Sequence, residues 1–241
     1  MKISVVVPAY NEAKLLPSTL AAVARARTAL HDRGWTSEII VCDNNSTDAT
    51  GDLARAAGAT VVFEPINQIG RARNTGAAAA TGEWLIFVDG DSEPTPELFS
   101  AVAELILGGR VLAGGALIAL DQGPFWARVV AEGWALWSRW ARHMAGAFIF
   151  VETAAFRELG GFSNQLFAGE ELELSQRLKA LARKRGQRVQ ILARPRLQTS
   201  ARKATLYTPR EAFRFLVRAI FRPKKTLSNR DACSIWYDGR R

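Results

Sequence analysis

Cysteine is scarce, with only Cys42 and Cys233 in 241 residues. The two lie far apart and show no metal-type spacing, so neither a disulfide framework nor a zinc site is expected, and a reducing compartment fits best. Long apolar runs are missing too. The nearest, Val129 to Val151, is interrupted by Glu132, Arg139, Arg142 and His143, whereas a spanning helix needs about 20 mainly apolar residues. Met1, Lys2 and Ile3 lead into an apolar run of only a few residues, so no signal peptide is expected. The expected location is cytoplasmic, either soluble or peripheral to a membrane. No G-x-G-x-x-G follows the first apolar run, which disfavours nicotinamide and flavin chemistry, and no G-x-x-x-x-G-K-[ST] phosphate loop occurs. Internal repeats and low-complexity linkers are also absent, and the length suits one well-buried domain.

Charge is present but unevenly placed. Residues 1 to 100 carry 8 Lys/Arg against 12 Asp/Glu, and residues 101 to 241 carry 24 against 11, giving a formal net charge of +9. A basic second half points to an anionic partner, either nucleic acid, a phosphorylated acceptor or an acidic membrane surface, although many basic faces only solubilise.

Strand and helix signals alternate through the first part. Ile3 to Val7 reads as a buried strand ended by Pro8, and Glu12 is expected to begin a helix with Leu16, Leu20, Val23 and Leu30 on one face. Glu38 to Cys42, Ala59 to Phe63 and Trp84 to Val88 are the next strands, with helices near Asp48 to Ala57 and Arg71 to Ala80 between them. This order predicts an α/β fold with a mostly parallel sheet and helices on both faces, whose ligands collect beyond the carboxyl ends of the strands. Thereafter Thr95 to Leu107 reads as a capped helix, Val111 to Ala119 as a strand, Trp126 to Met144 as a helix and Gly146 to Val151 as a strand. Trp126, Val130, Trp134 and Trp137 share a helical face, a pattern most often spent on core and otherwise on an apolar groove or a membrane-facing surface. A helix beginning near Glu170 carries Leu174, Leu178 and Leu181 on one side and stops at Gly186. A basic amphipathic segment, Arg210 to Arg222, suits either an anionic bilayer or packing on its own domain.

The stretch LIFVDGDSEP, residues 85 to 94, concentrates the chemistry. A strand buried on both faces delivers Asp89 and Asp91 to its end, and Gly90 permits close backbone approach. Two carboxylates so spaced can hold a hard divalent cation through oxygen, or simply cap the helix announced by Thr95, Pro96 and Glu97. Pro8, Ala9, Tyr10 and Glu12 follow the first strand and Asp43 follows the second. All these residues are expected to line one crevice.

The ordered set VVVPAYNE, VCDNNSTDAT, GRARNTGAAAATGEWLIFVDGDSEP and GGF followed by GEELELSQRL resembles the family 2 glycosyltransferases of the GT-A fold, over about residues 3 to 203. The resemblance implies transfer of a sugar from a nucleotide-diphosphate sugar to an acceptor hydroxyl, with inversion and with Mg2+ or Mn2+. It implies a donor half over residues 1 to 94, an acceptor half over 95 to 222 and a basic tail over 223 to 241. By the same resemblance, Pro8, Ala9, Tyr10, Glu12 and Asp43 hold the nucleoside and Arg71 or Arg73 meets base or phosphates. Asp89 and Gly90 reach the ribose side, and Asp91, with Asp89, takes the metal. The base that deprotonates the acceptor falls on Glu171, where the family commonly has Asp, with Glu170 as the alternative. Arg202 and Lys203 are candidates for a donor or acceptor phosphate.

The Q-x-x-R-W of processive synthases is replaced by Gln198, Thr199, Ser200, Ala201 and Arg202, so a single addition is expected. By analogy the donor is a UDP-sugar, and the acceptor is a saccharide, a lipid-linked molecule or a small molecule. Peripheral contact with an anionic membrane is compatible with the basic half, and no nucleic acid partner is expected. The competing readings are a nucleotidyltransferase, which would release pyrophosphate, and a basic nucleic-acid-binding module, which would bind with steep salt dependence.

Overall fold

The computed structural model describes residues 1–120, 124–206, 208–233 and Tyr237; within these, the side chain of Lys203 lies outside the described set. The chain runs β1 (Lys2–Ala9), α1 (Leu16–Ala26), α2 (Thr28–His31), β2 (Thr36–Asp43), α3 (Thr50–Ala56), β3 (Thr60–Phe63), α4 (Ile69–Ala78) and β4 (Trp84–Val88). It continues with β5 (Ser92–Glu93), α5 (Pro96–Leu107), β6 (Val111–Leu120), α6 (Phe125–Ala141), β7 (Phe148–Glu152) and α7 (Thr153–Glu158). The last elements are α8 (Glu170–Lys184), β8 (Arg188–Thr199), α9 (Arg202–Leu206), α10 (Pro209–Phe221) and α11 (Pro223–Leu227).

One eight-stranded sheet has the order β3, β2, β1, β4, β7, β6, β8, β5. The strands β3, β2, β1 and β4 are mutually parallel, β7 runs antiparallel between β4 and β6, and β8 is parallel to β6. The expected mostly parallel sheet with helices on both faces is therefore the one observed. Side-chain alternation along the central strands divides the core in two. Ile3, Val5 and Val7 of β1 and Ile86 and Val88 of β4 meet Leu16, Leu20 and Val23 of α1 and Leu98, Phe99 and Val102 of α5. Val6, Leu85 and Phe87 point the other way, onto Ala77 of α4 and Leu174, Leu178 and Leu181 of α8.

Local chemistry sets the boundaries. Thr95 caps α5, its hydroxyl accepting from the Leu98 amide at 3.3 Å, and Pro96 opens the helix. β6 runs through Gly114 and Gly115 without a break, and Gly114 lets its neighbours close in, since a Cβ there would stand 2.2 Å from the Gln190 carbonyl oxygen and 2.3 Å from Phe150 Cζ. Glu12 does not begin a helix. The helix starts at Leu16, with Pro17 in its first turn, and the Glu12 carbonyl accepts from Leu15 and Leu16 at 3.0 and 2.8 Å in the turn before it.

The tryptophan stripe of α6 is not core. The buried residues of that helix are Ala127, Ala135 and Ser138, small side chains set against the sheet, while Val130 is 62% exposed and Trp137 39%. No described helix is long and apolar enough to cross a membrane.

Candidate active site

The carboxyl ends of β1, β2 and β4 form one rim. Ala9 pairs in register with Asp43, and β4 lies on the other side of β1. With strands about 4.8 Å apart, Asp43 and the Asp89 that follows β4 stand about 10 Å apart. A narrow cleft of about 60 Å3 opens here, walled by Pro8, Ala9, Tyr10, Glu12, Asn44, Asn67, Ile69, Ala72, Asp89, Gly90, Asp91 and Tyr237. Gly90 permits this crowding, since a Cβ there would lie 3.3 Å from the Pro8 carbonyl oxygen.

A larger cavity of about 440 Å3 adjoins the cleft, and Ile69, Asp89 and Asp91 belong to both walls. Glu170 and Glu171 stand in it, together with Trp126, Val130 and Trp134 of α6, Phe167, and Thr199 and Ser200 at the end of β8. Asp89 and Asp91 thus form a ridge between a small cleft of mixed polar and apolar lining and a large, mainly apolar chamber.

Arg73 braces the ridge from beneath. Its side chain is 1% exposed, and its guanidinium donates to Glu170 Oε1 at 2.6 Å, Asp89 Oδ1 at 2.9 Å and the Gly146 carbonyl at 2.9 Å. Glycine at 146 eases this approach, because a Cβ would sit 3.0 Å from Arg73 Nη2 and press on the guanidinium. The rest of the A-R-N-x-G pattern is equally architectural. Asn74 exchanges two hydrogen bonds of 2.9 Å with the Phe162 backbone, and Gly76 lets α4 press on β1, a Cβ there being 2.4 Å from Val6 Cγ1.

Glu170 is 3% exposed and committed to Arg73, which leaves Glu171 as the freer carboxyl of the pair. Burial first, and then the Glu170 charge, push the Glu171 carboxyl up to about 8 against the partial opposition of Arg73. That makes it a stronger proton acceptor than an exposed glutamate.

On the far side of the ridge Arg202 reaches back from α9. Its Nη2 donates to both oxygens of Glu12, at 2.8 and 2.9 Å, and lies 3.9 Å from Asp91 Oδ2. Its Nε is buried and has no acceptor among the described residues. Glu12 is therefore an anchor for this arginine. Other expected residues are placed less centrally. Arg71 donates from Nε to Gln68 at 2.9 Å and lines neither cavity. Asp43 also lines neither, and one of its oxygens accepts from the Ser46 amide at 3.0 Å, a turn-forming bond.

Several cavity residues escape pattern reading. Asn44 and Asn67 sit in the turns after β2 and β3, where the strand-end rule points without singling them out. Asn44 also receives the Gln68 amide at 2.9 Å and donates to the Glu64 and Ile66 carbonyls. Tyr237 carries no local signal at all. Its hydroxyl donates to the Phe167 carbonyl at 2.9 Å and accepts the Ile69 amide at 3.3 Å, closing one wall from the far end of the chain.

The family model of Glycosyl transferase family 2 matches residues 4–154, more than half of the chain and the whole rim just described. The chain belongs to glycosyl transferase family 2. Among curated relatives, this family 2 chain is 38% identical over 113 residues to an uncharacterized glycosyltransferase of Mycobacterium bovis, covering 46% of the chain and 47% of the relative. It thus spans about half the length of that relative. Among solved structures, S. aureus TarS 1-349 in complex with UDP-GlcNAc superposes with a TM-score of 0.64 at 21% identity, over 98% of this chain and 69% of that one. Glucosyl-3-phosphoglycerate synthase from Mycobacterium tuberculosis, in complex with Mn2+, UDP and phosphoglyceric acid, gives 0.62 at 22% identity, over 91% and 76%. The fold is accordingly that of the GT-A glycosyltransferases.

Proposed function

We propose that this family 2 chain transfers a sugar from a nucleoside-diphosphate sugar, a UDP-sugar first among them, to an acceptor hydroxyl, in a single addition with inversion. The observation that carries the reading is the shared wall: Asp89 and Asp91 face the narrow cleft beside Tyr10 and Asn44 on one side and a chamber holding Glu171 on the other. A base in the cleft beside Pro8, Tyr10 and Asn44 would lay its diphosphate across the ridge. The sugar would then stand at the entrance to the chamber. The unsatisfied Arg202 Nε is a donor that a phosphate oxygen would complete. TarS and the phosphoglycerate synthase were solved with uridine nucleotides in a like fold, which supports the choice of base.

The residues also fit a divalent cation. No cluster of three or more metal-ligating side chains occurs among the described residues. The two carboxylates on the shared wall, Asp89 and Asp91, are oxygen donors of the kind Mg2+ or Mn2+ takes, with phosphate oxygens and water supplying the rest. Asp91 is the principal candidate, because Asp89 Oδ1 is already taken by Arg73. A bound cation would supply neutralisation of the charge on the departing diphosphate. Glu171, reached from the chamber, accepts the acceptor's proton as its oxygen attacks the face of the anomeric carbon opposite the diphosphate. Displacement from that side inverts the configuration. Arg73 keeps Glu170 and Asp89 ordered around the reacting centre.

A thermal-shift series with UDP-, GDP- and dTDP-sugars, each with and without Mn2+, tests the donor side, since a ligand of the folded state raises apparent stability. The expected outcome is a shift with the UDP-sugar that grows with Mn2+ in the parent chain and loses that increment in Asp91→Asn. Equal, metal-independent shifts in the two proteins would remove Asp91 from the donor site.

A further inference from the structure

The chamber uses only one side of α6, through Trp126, Val130 and Trp134. A second apolar row, Phe125, Val129, Leu136 and Trp140, falls at spacings of four, seven and four and shares another face. These four are 74%, 53%, 69% and 86% exposed. Single exposed apolar residues are ordinary, but four on one helix face, ending in an almost bare tryptophan, form a patch that requires a partner. The charges beside it are cationic. Arg128 and Arg139 are exposed on one flank, Arg142 follows the helix, and the one acid of α6, Glu132, is paired with Arg196 at 3.1 Å. On the opposite flank Val130 and Trp137 carry the apolar surface from the bare row to the wall of the chamber.

We infer that the outer face of α6 docks on an anionic lipid surface, setting the mouth of the large cavity at the membrane. Aliphatic and aromatic side chains on one face with arginines at its edge are the composition that lies in a bilayer interface, where apolar burial and attraction to anionic headgroups act together. A second copy is the poorer fit, because an isologous contact through this face would bring the arginine rows of two chains together. Nucleic acid would leave Phe125, Leu136 and Trp140 without a counterpart. The inference does not rest on the transferase reading, since lipid binding and donor binding use different residues.

Sedimentation with vesicles tests it, using phosphatidylcholine alone and an equal mixture with phosphatidylglycerol. The parent chain is expected to bind the anionic vesicles at least about tenfold more tightly, with partial loss as salt rises from about 0.1 to about 0.5 M. Leu136→Asp with Trp140→Asp is expected to weaken binding at least about tenfold and to leave thermal unfolding and the donor-induced shift unchanged, both positions being solvent-exposed and outside the cavity wall. Three results would overturn the inference: a parent chain that stays in the supernatant with anionic vesicles, a double variant that binds as well as the parent, or a parent chain that is dimeric and is dispersed by the same double variant.

Discussion

Replacing Arg73 with methionine is expected to destabilise the fold by about 3–5 kcal/mol, the usual consequence of removing one member of a buried ion pair. Methionine keeps the length of the aliphatic stem but leaves Glu170, 3% exposed, beside Asp89 with no cation between them. The loss comes from the stranded carboxylates, since apolar replacements of whole buried pairs are often neutral. Removing the second charge as well, in Arg73→Met with Glu170→Leu, is therefore expected to recover most of the stability. Urea unfolding of the three proteins reads this directly through the midpoint at unchanged slope. A single variant within about 0.5 kcal/mol of the parent would mean that Arg73 is not the brace of the ridge.

Glu171→Gln is expected to lower the transfer rate by about 10²–10⁴, the range associated with losing a positioned general base, and to leave donor binding intact. The amide keeps the shape and cannot take the proton. The raised carboxyl, at about 8, also predicts the pH behaviour of the parent. A base works deprotonated, so kcat/KM should climb with pH, pass half its maximum near 8 and level off only above that, and the residual rate of the variant should lack that limb.

Stability moves the other way. The folded-state value lies above the ordinary 4.5, so between those two values the native state holds a proton that the unfolded chain has released. This group's contribution therefore falls as pH rises through that window. Glu171→Gln should accordingly gain Tm over the parent progressively from pH 5 to pH 8, a stabilisation obtained at the expense of activity. If the variant turns over at the parental rate, the base lies elsewhere. A Tm difference flat with pH would show an ordinary, solvated carboxyl.

The first four strands are legible because each is a short apolar run ending at turn-forming or acidic residues, and the strand-end rule then gathers Tyr10, Asp89 and Asp91 without coordinates. Conversely, β8 is concealed. Its run RVQILARPRLQT contains Pro195, which argues against a strand inside a sheet. The structure absorbs it where the register with β6 jumps from Ala116 opposite Leu192 to Ile118 opposite Leu197.

Arg73 is legible as part of a motif, but its partners are not, because they come from Asp89 and from Glu170, 97 residues away. The same distance problem hides Arg202 on Glu12 and Tyr237 on Ile69. The Trp stripe of α6 shows the limit of periodicity, which identifies a shared face without saying whether that face meets core, cavity or solvent.

Product analysis tests the central claim most directly: incubate the chain with a UDP-sugar, Mn2+ and acceptor extract, and identify what leaves the donor. The account predicts free UDP appearing in step with glycosylated acceptor of inverted anomeric configuration, with both products reduced together in Glu171→Gln. Release of pyrophosphate in place of UDP, or a donor consumed equally by parent and variant, would contradict it.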